Sequence, residues 1–76
     1  MRIVLSYYLN REHLDGWDER ERNAPEQTVA LVARRASLNA RHNLTDTHRG
    51  DVFLVIAQRI DSERAVESAE YSVTIR

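Results

Sequence analysis

The chain has 76 residues, 42% of them hydrophobic, with twelve acids against eleven basic residues, all of the latter arginine. That is one domain, residues 1–76, near the size at which a single core supplies only a few kcal/mol. With no cysteine it has neither a disulfide framework nor a thiolate metal site.

The longest apolar run, Val52 to Ala57, is too short to span a bilayer. The first residues lack the pattern of a signal peptide, so a cytoplasmic protein is expected. Two glycines and one proline argue against disorder, and against an all-β fold with many tight turns.

From Arg2 to Leu9 the chain alternates, with Ile3, Leu5, Tyr7 and Leu9 on one side and Val4 and Tyr8 on the other, which predicts a strand. Residues 10–24 lack a period and read as a long charged loop, pinned to the body by Leu14 and Trp17. Asn23 and Glu26 have capping-box spacing and Pro25 suits a first helical turn, so a helix is expected from there to about Asn43. Val29, Val32, Ala33, Ala36 and Ala40 form its inward stripe. Residues 45–50 read as a turn and 51–60 as a strand apolar on both faces. Residues 61–69 read as acidic and permissive of a turn or two of helix, ahead of a last strand through Tyr71, Val73 and Ile75.

The expected fold is therefore α+β, in the order β-α-β-β: a three-stranded antiparallel sheet with one long helix packed on one face. One helix covers one face only. On this reading Val4, Tyr8, Phe53 and Val55 are left on the other, a patch suited to self-association as a homodimer.

Leu31 and Leu38 fall outside the inward stripe. They sit on the opposite side of the helix, flanked by Arg34, Arg35, Arg41 and His42. Either Leu14 and Trp17 fold over them as a second small core, or they form an exposed apolar centre with an arginine rim, the make-up of a protein interface. Arginine suits such a rim because its planar guanidinium grips carboxylates and phosphates in pairs of bonds. The charge is also dipolar. Residues 11–26 carry a net −3, residues 34–49 a net +3 and residues 61–70 a net −3, a layout that orients a partner.

Catalytic chemistry finds little support. There is no cysteine, no nucleophile elbow and no glycine-rich phosphate loop, so no enzyme and no cofactor are expected. His42, Asp46, His48 and Asp51, and separately His13 and Asp15, are ligand-type residues without a ligand-motif spacing, so no metal is assigned.

The expected function is a non-catalytic, protein-binding modulator or inhibitor of a larger complex. Its partner-binding residues would be Leu31, Arg34, Arg35, Leu38, Arg41, Arg49 and Trp17. In size and character the chain is similar in kind to phage and mobile-element proteins that jam a host complex, anti-CRISPR inhibitors among them; the likeness rests on no motif. The alternative is a small nucleic-acid-binding module in which Arg34, Arg35, Arg41 and Arg49 track phosphates, set against two acidic segments that repel a polyanion.

Overall fold

A computed structural model describes residues 2–22 and 27–76. The alternating first segment is strand β1, Arg2–Leu9. The chain turns at Asn10 and Arg11 and runs back along the edge of β1 as two short pieces, β2 (Glu12–His13) and β3 (Glu19–Arg22). β2 pairs Tyr8 with His13, and β3 pairs Leu5 with Glu19 and Val4 with Arg20. Helix α1 (Val29–Ala40) follows, closed by a turn of 3-10 helix at Arg41–Asn43. β4 (Val52–Asp61) and β5 (Arg64–Thr74) complete one antiparallel sheet, with β1 between β2/β3 and β4, and β5 on the far edge.

Several expectations need correction. The sheet has five strands rather than three, and nearly half of the chain is strand, so the scarcity of glycine did not mark a lack of tight turns. Residues 10–24 are not simply a loop: they hold an interrupted edge strand whose Glu-Arg-Glu-Arg sequence has no apolar alternation, because the strand gets its order from β1's hydrogen bonds. The helix is 12 residues, not a long one. Its N-cap is Thr28, extended at φ −74° and ψ 147°, whose hydroxyl accepts from the Leu31 amide at 3.3 Å. The capping box at Asn23 and Glu26, with Pro25, lies outside the described residues.

Residues 61–69 hold the end of β4, a two-residue turn and the first part of β5, not a helix. β4 and β5 stay paired to their ends, Asp61 opposite Arg64, across a two-residue turn in which Ser62 (φ 51°) and Glu63 (φ 63°) are both left-handed. Positive φ at both central residues is what a right-twisted hairpin demands. Side chains other than glycine pay about 1 kcal/mol each for it. Glu63→Gly should therefore raise stability by about 1 kcal/mol, read as a melting temperature about 4–8 °C higher in a domain of this size. An unchanged or lower melting point would show that the strain is not there.

The core lies between α1 and one face of the sheet. Ile3, Leu5 and Tyr7 of β1 and Phe53, Val55 and Ala57 of β4 point into it, all at most 1% exposed. The helix contributes Val29, Val32, Ala33, Ala36 and Ala40. The bulk is on the sheet and the alanines are on the helix, so helix and sheet approach closely. α1 packs mainly over β4 and β5 and barely meets β1. That offset leaves a gap above the β1 edge, which becomes the groove described below. No helix among the described residues is long and apolar enough to cross a membrane.

At the far end of β1, Asn10 (φ 50°) ties two turns together. Its backbone N–H donates to the Val52 carbonyl at 2.9 Å, its side-chain oxygen accepts from the Val52 amide at 2.9 Å, and its amide donates to Asp51 at 3.0 Å. Asparagine tolerates the left-handed region because its short polar side chain bonds locally. Asp51 also accepts from the His48 amide at 2.8 Å. The Asn10 bond, then the His48 bond, hold the Asp51 carboxyl below its ordinary pKa of 3.8.

Candidate functional site

The outward side of α1 is fixed by the inward one. With Val32, Ala33, Ala36, Ser37 and Ala40 buried, the helical repeat turns Leu31, Arg34, Arg35 and Leu38 to solvent. Leu31 is 48% exposed and Leu38 46%, and each lies one turn from an arginine. Leu14 and Trp17 do not cover them, because both pack against the main core instead. Trp17 lies 5.9 Å from the Tyr7 ring and meets Phe53 edge-on at 6.2 Å. The second-core reading of the leucines is therefore excluded, and they stand as an open ridge. Among the described residues no carboxylate lies within ion-pair distance of Arg34, Arg41 or Arg49.

Beside the ridge runs a groove of about 530 Å³ between α1 and residues 16–19. Its floor is Tyr7 and Trp17, one wall carries Asp18 and Glu19, and the helix wall carries Arg35 and Asn39. The structure thus brings together Trp17 and Arg35, two of the expected binding residues. Arg35 donates to the Gln27 side chain. Arg41 is half-buried in the 3-10 turn, and Arg49 lies in the exposed turn before β4, away from the groove. The groove itself was not foreseen: Glu19 reaches the site only through its pairing with Leu5 on an unrecognised strand.

The acidic wall is held in place from within. Glu19 accepts the Tyr7 hydroxyl at 3.2 Å. His13 bridges Asp15 (Nδ1, 3.0 Å) and Asp18 (Nε2, 2.8 Å), which fastens the segment carrying Trp17 back onto β2. Both ring nitrogens face carboxylates, so the imidazolium is the form that donates to both. The Asp18 bond and then the Asp15 bond raise the His13 pKa above its ordinary 6.5.

A raised folded value means the fastening is fully present below the unfolded pKa and is lost as pH rises through the raised one. Trp17 is the only tryptophan, so its fluorescence reads this directly. From about pH 5 to about pH 9 its emission should shift with a midpoint above 6.5, and His13→Gln should abolish the transition. A midpoint below 6.5, or one that survives the substitution, would contradict the clamp.

The residues expected for self-association separate. Val4 and Tyr8 lie half-buried on the uncovered sheet face, but Phe53 and Val55 are 0% exposed beneath the helix. The register shows why: Tyr8 sits opposite Leu54 and Ser6 opposite Ile56, so the β4 residues sharing a face with Tyr8 are the even-numbered ones. With both faces of β4 apolar, sequence alone offers no means of choosing between the two phases. Of the histidine and aspartate candidates for a metal, His13 and Asp15 meet in the clamp described above, while the group His42, Asp46, His48 and Asp51 is dispersed. Asp51 is engaged with Asn10 and His48, Asp46 (φ 56°) lies in the intervening loop, and no three such side chains among the described residues converge on a cation site.

No known protein family, no curated protein and no solved structure matches the chain.

Proposed function

We propose that this domain is a non-catalytic protein-binding module, a modulator or inhibitor of a larger complex, that engages its partner through the Leu31–Leu38 ridge and its arginines. The observation that carries this reading is that both leucines are nearly half exposed while Leu14 and Trp17 are committed to the core. An apolar centre rimmed by Arg34, Arg35 and Arg41 is the composition that protein interfaces favour. The groove floored by Trp17 adjoins it through Arg35 and extends the contact surface.

The test places a photo-crosslinking residue at Leu38 and, as a control, at Ser62 in the distant hairpin turn. Crosslinking in host extract should give one discrete, nuclease-resistant protein adduct from position 38 and none from position 62. Leu31→Asp should remove it. A nuclease-sensitive adduct whose yield falls log-linearly with salt would instead assign Arg34, Arg35 and Arg41 to phosphates, the nucleic-acid alternative.

A further inference from the structure

β5 is the outer strand of the sheet, and among the described residues nothing pairs with its far edge. The ladder fixes which of its backbone groups stand open. Ile75 donates to the Asp51 carbonyl at 2.7 Å and accepts from the Gly50 amide at 2.8 Å, so both its groups point inward. On the neighbouring strand the Val52 carbonyl accepts from Asn10, which turns Val52 towards β1 and Phe53 towards its partner Val73. These groups alternate in direction along an antiparallel strand. Tyr71, Val73 and Ile75 therefore face β4, while Glu70, Ser72 and Thr74 hold their N–H and C=O groups outward.

Proteins guard such an edge with charge, proline or a bulge. The hairpin half of β5 carries Arg64 and Glu67 and lies against the bulge at Arg59/Ile60. The stretch Tyr71-Ser72-Val73-Thr74-Ile75 has no such guard, and it is built from residues that favour strands. Tyr71 and Val73 pack against the core yet stay only partly buried, with nothing beyond them.

We infer that this stretch pairs antiparallel with the same stretch of a second copy, about a two-fold axis normal to the sheet and midway between the two Val73 residues. Two sheets of five strands then join into one of ten. Ser72 of each copy lies opposite Thr74 of the other, and their outward backbone groups exchange hydrogen bonds. On the helix side Tyr71 lies beside Ile75, an aromatic against a β-branched residue, and Val73 meets its own copy. On the other side Glu70 meets Arg76, twice by symmetry. Neither has an ion-pair partner among the described residues.

Charge selects this register and, with it, a second copy as the occupant. A two-fold normal to the sheet pairs residues symmetrically about one position. Centred on Glu67 it opposes Arg64 and Glu70 but sets Glu67 against itself, and centred on Glu70 it sets that carboxylate against itself. Centred on Val73 it opposes Glu70 and Arg76 with no like charges facing, and no other centre in β5 opposes unlike charges from Arg64 to Arg76. The contact is small, seven residues a side, so the association is weak and grows with concentration.

Sedimentation of the full chain up to millimolar concentration should show a monomer–dimer equilibrium. Hydrogen exchange at the Ser72 and Thr74 amides should slow as the dimer fills, while the Val73 amide stays slow throughout. Thr74→Pro removes only an outward N–H, which an edge strand tolerates, so circular dichroism should be unchanged while the dimer disappears. Glu70→Arg and Arg76→Glu should each weaken association about tenfold, and the double reversal should restore it to within about threefold of wild type. A chain that stays monomeric overturns the inference. So does a dimer in which the Ser72 and Thr74 amides exchange as fast as in the monomer, a reading on the wild type that does not depend on any variant folding. The leucine ridge lies on α1, away from this edge, so the partner-binding reading and this one stand or fall separately.

Discussion

Phe53→Ala is expected to cost about 3–5 kcal/mol, against a total stability of about 4–11 kcal/mol for a chain of this length. Phe53 is 0% exposed at the middle of the sheet. Its ring stacks on Tyr7 at 6.1 Å and 20° and receives the edge of Trp17 at 6.2 Å, while Tyr7 and Trp17 meet at 5.9 Å. The helix above offers mainly alanine and valine, whose short side chains cannot reach down to fill the space left behind. The deletion therefore loses burial and aromatic contact together. In urea the unfolding midpoint should fall by about half, with the slope unchanged. Trp17 emission should shift to the red even before unfolding, because the groove loses its floor. Phe53→Leu, which keeps most of the volume, should cost under half as much. A Phe53→Ala loss below about 1 kcal/mol would mean the aromatic cluster is not what holds helix, sheet and groove together.

The parts of this fold that were legible in the sequence are those whose order comes from burial. β1 and β4 were found from Ile3-Leu5-Tyr7 and from Val52 to Ala57, and the inward stripe of α1 from Val29, Val32, Ala33, Ala36 and Ala40, because each writes its period into the chain. β3 and the first half of β5 were not, because Glu-Arg-Glu-Arg and Arg-Ala-Val-Glu-Ser carry no apolar alternation and are strands by virtue of the neighbour they pair with. The turn at Ser62 and Glu63 carries neither asparagine nor glycine, so the usual hairpin signal is absent and an acidic stretch resembles a helix instead. The helix starts at Val29, where the Thr28 hydroxyl accepts the Leu31 amide.

The same division runs through the candidate site. Leu31 and Leu38 could be placed on the outer face of α1 from helical angle alone, but whether anything covered them depended on where Leu14 and Trp17 went, a tertiary question. Phe53 and Val55 were misplaced through one step of strand phase, the single ambiguity that a doubly apolar strand leaves open. The groove was invisible because its polar wall comes from an edge strand with no pattern of its own. The two faces that result are chemically different. One is a leucine ridge rimmed by arginines, the other an apolar sheet face that α1 leaves uncovered.

Arg59→Ala should cost about 2–4 kcal/mol, the second-largest loss expected of a single substitution here. Arg59 follows Phe53, Val55 and Ala57 on the helix-covered face of β4 and is 9% exposed, a core position holding a cation. Its Nε donates to Glu67 at 3.0 Å and its guanidinium reaches the Gln27 carbonyl, joining β4, β5 and the chain just ahead of α1. Glu67 is half exposed, so that ion pair by itself contributes little. The larger effect comes from the buried stem, which closes the end of the core, and from the bonds a guanidinium makes where water reaches poorly. Comparing three variants separates these contributions. Arg59→Met keeps the stem and should recover about half of the alanine loss, whereas Arg59→Lys keeps charge and stem but cannot span Glu67 and Gln27 at once. All three should speed hydrogen exchange at the Val32 amide, whose acceptor is the Thr28 carbonyl beside the Gln27 contact. If methionine proved as stable as arginine and exchange stayed slow, Arg59 would be a hydrophobic filler with a charge at its tip, and the helix start would owe its position to Thr28 alone.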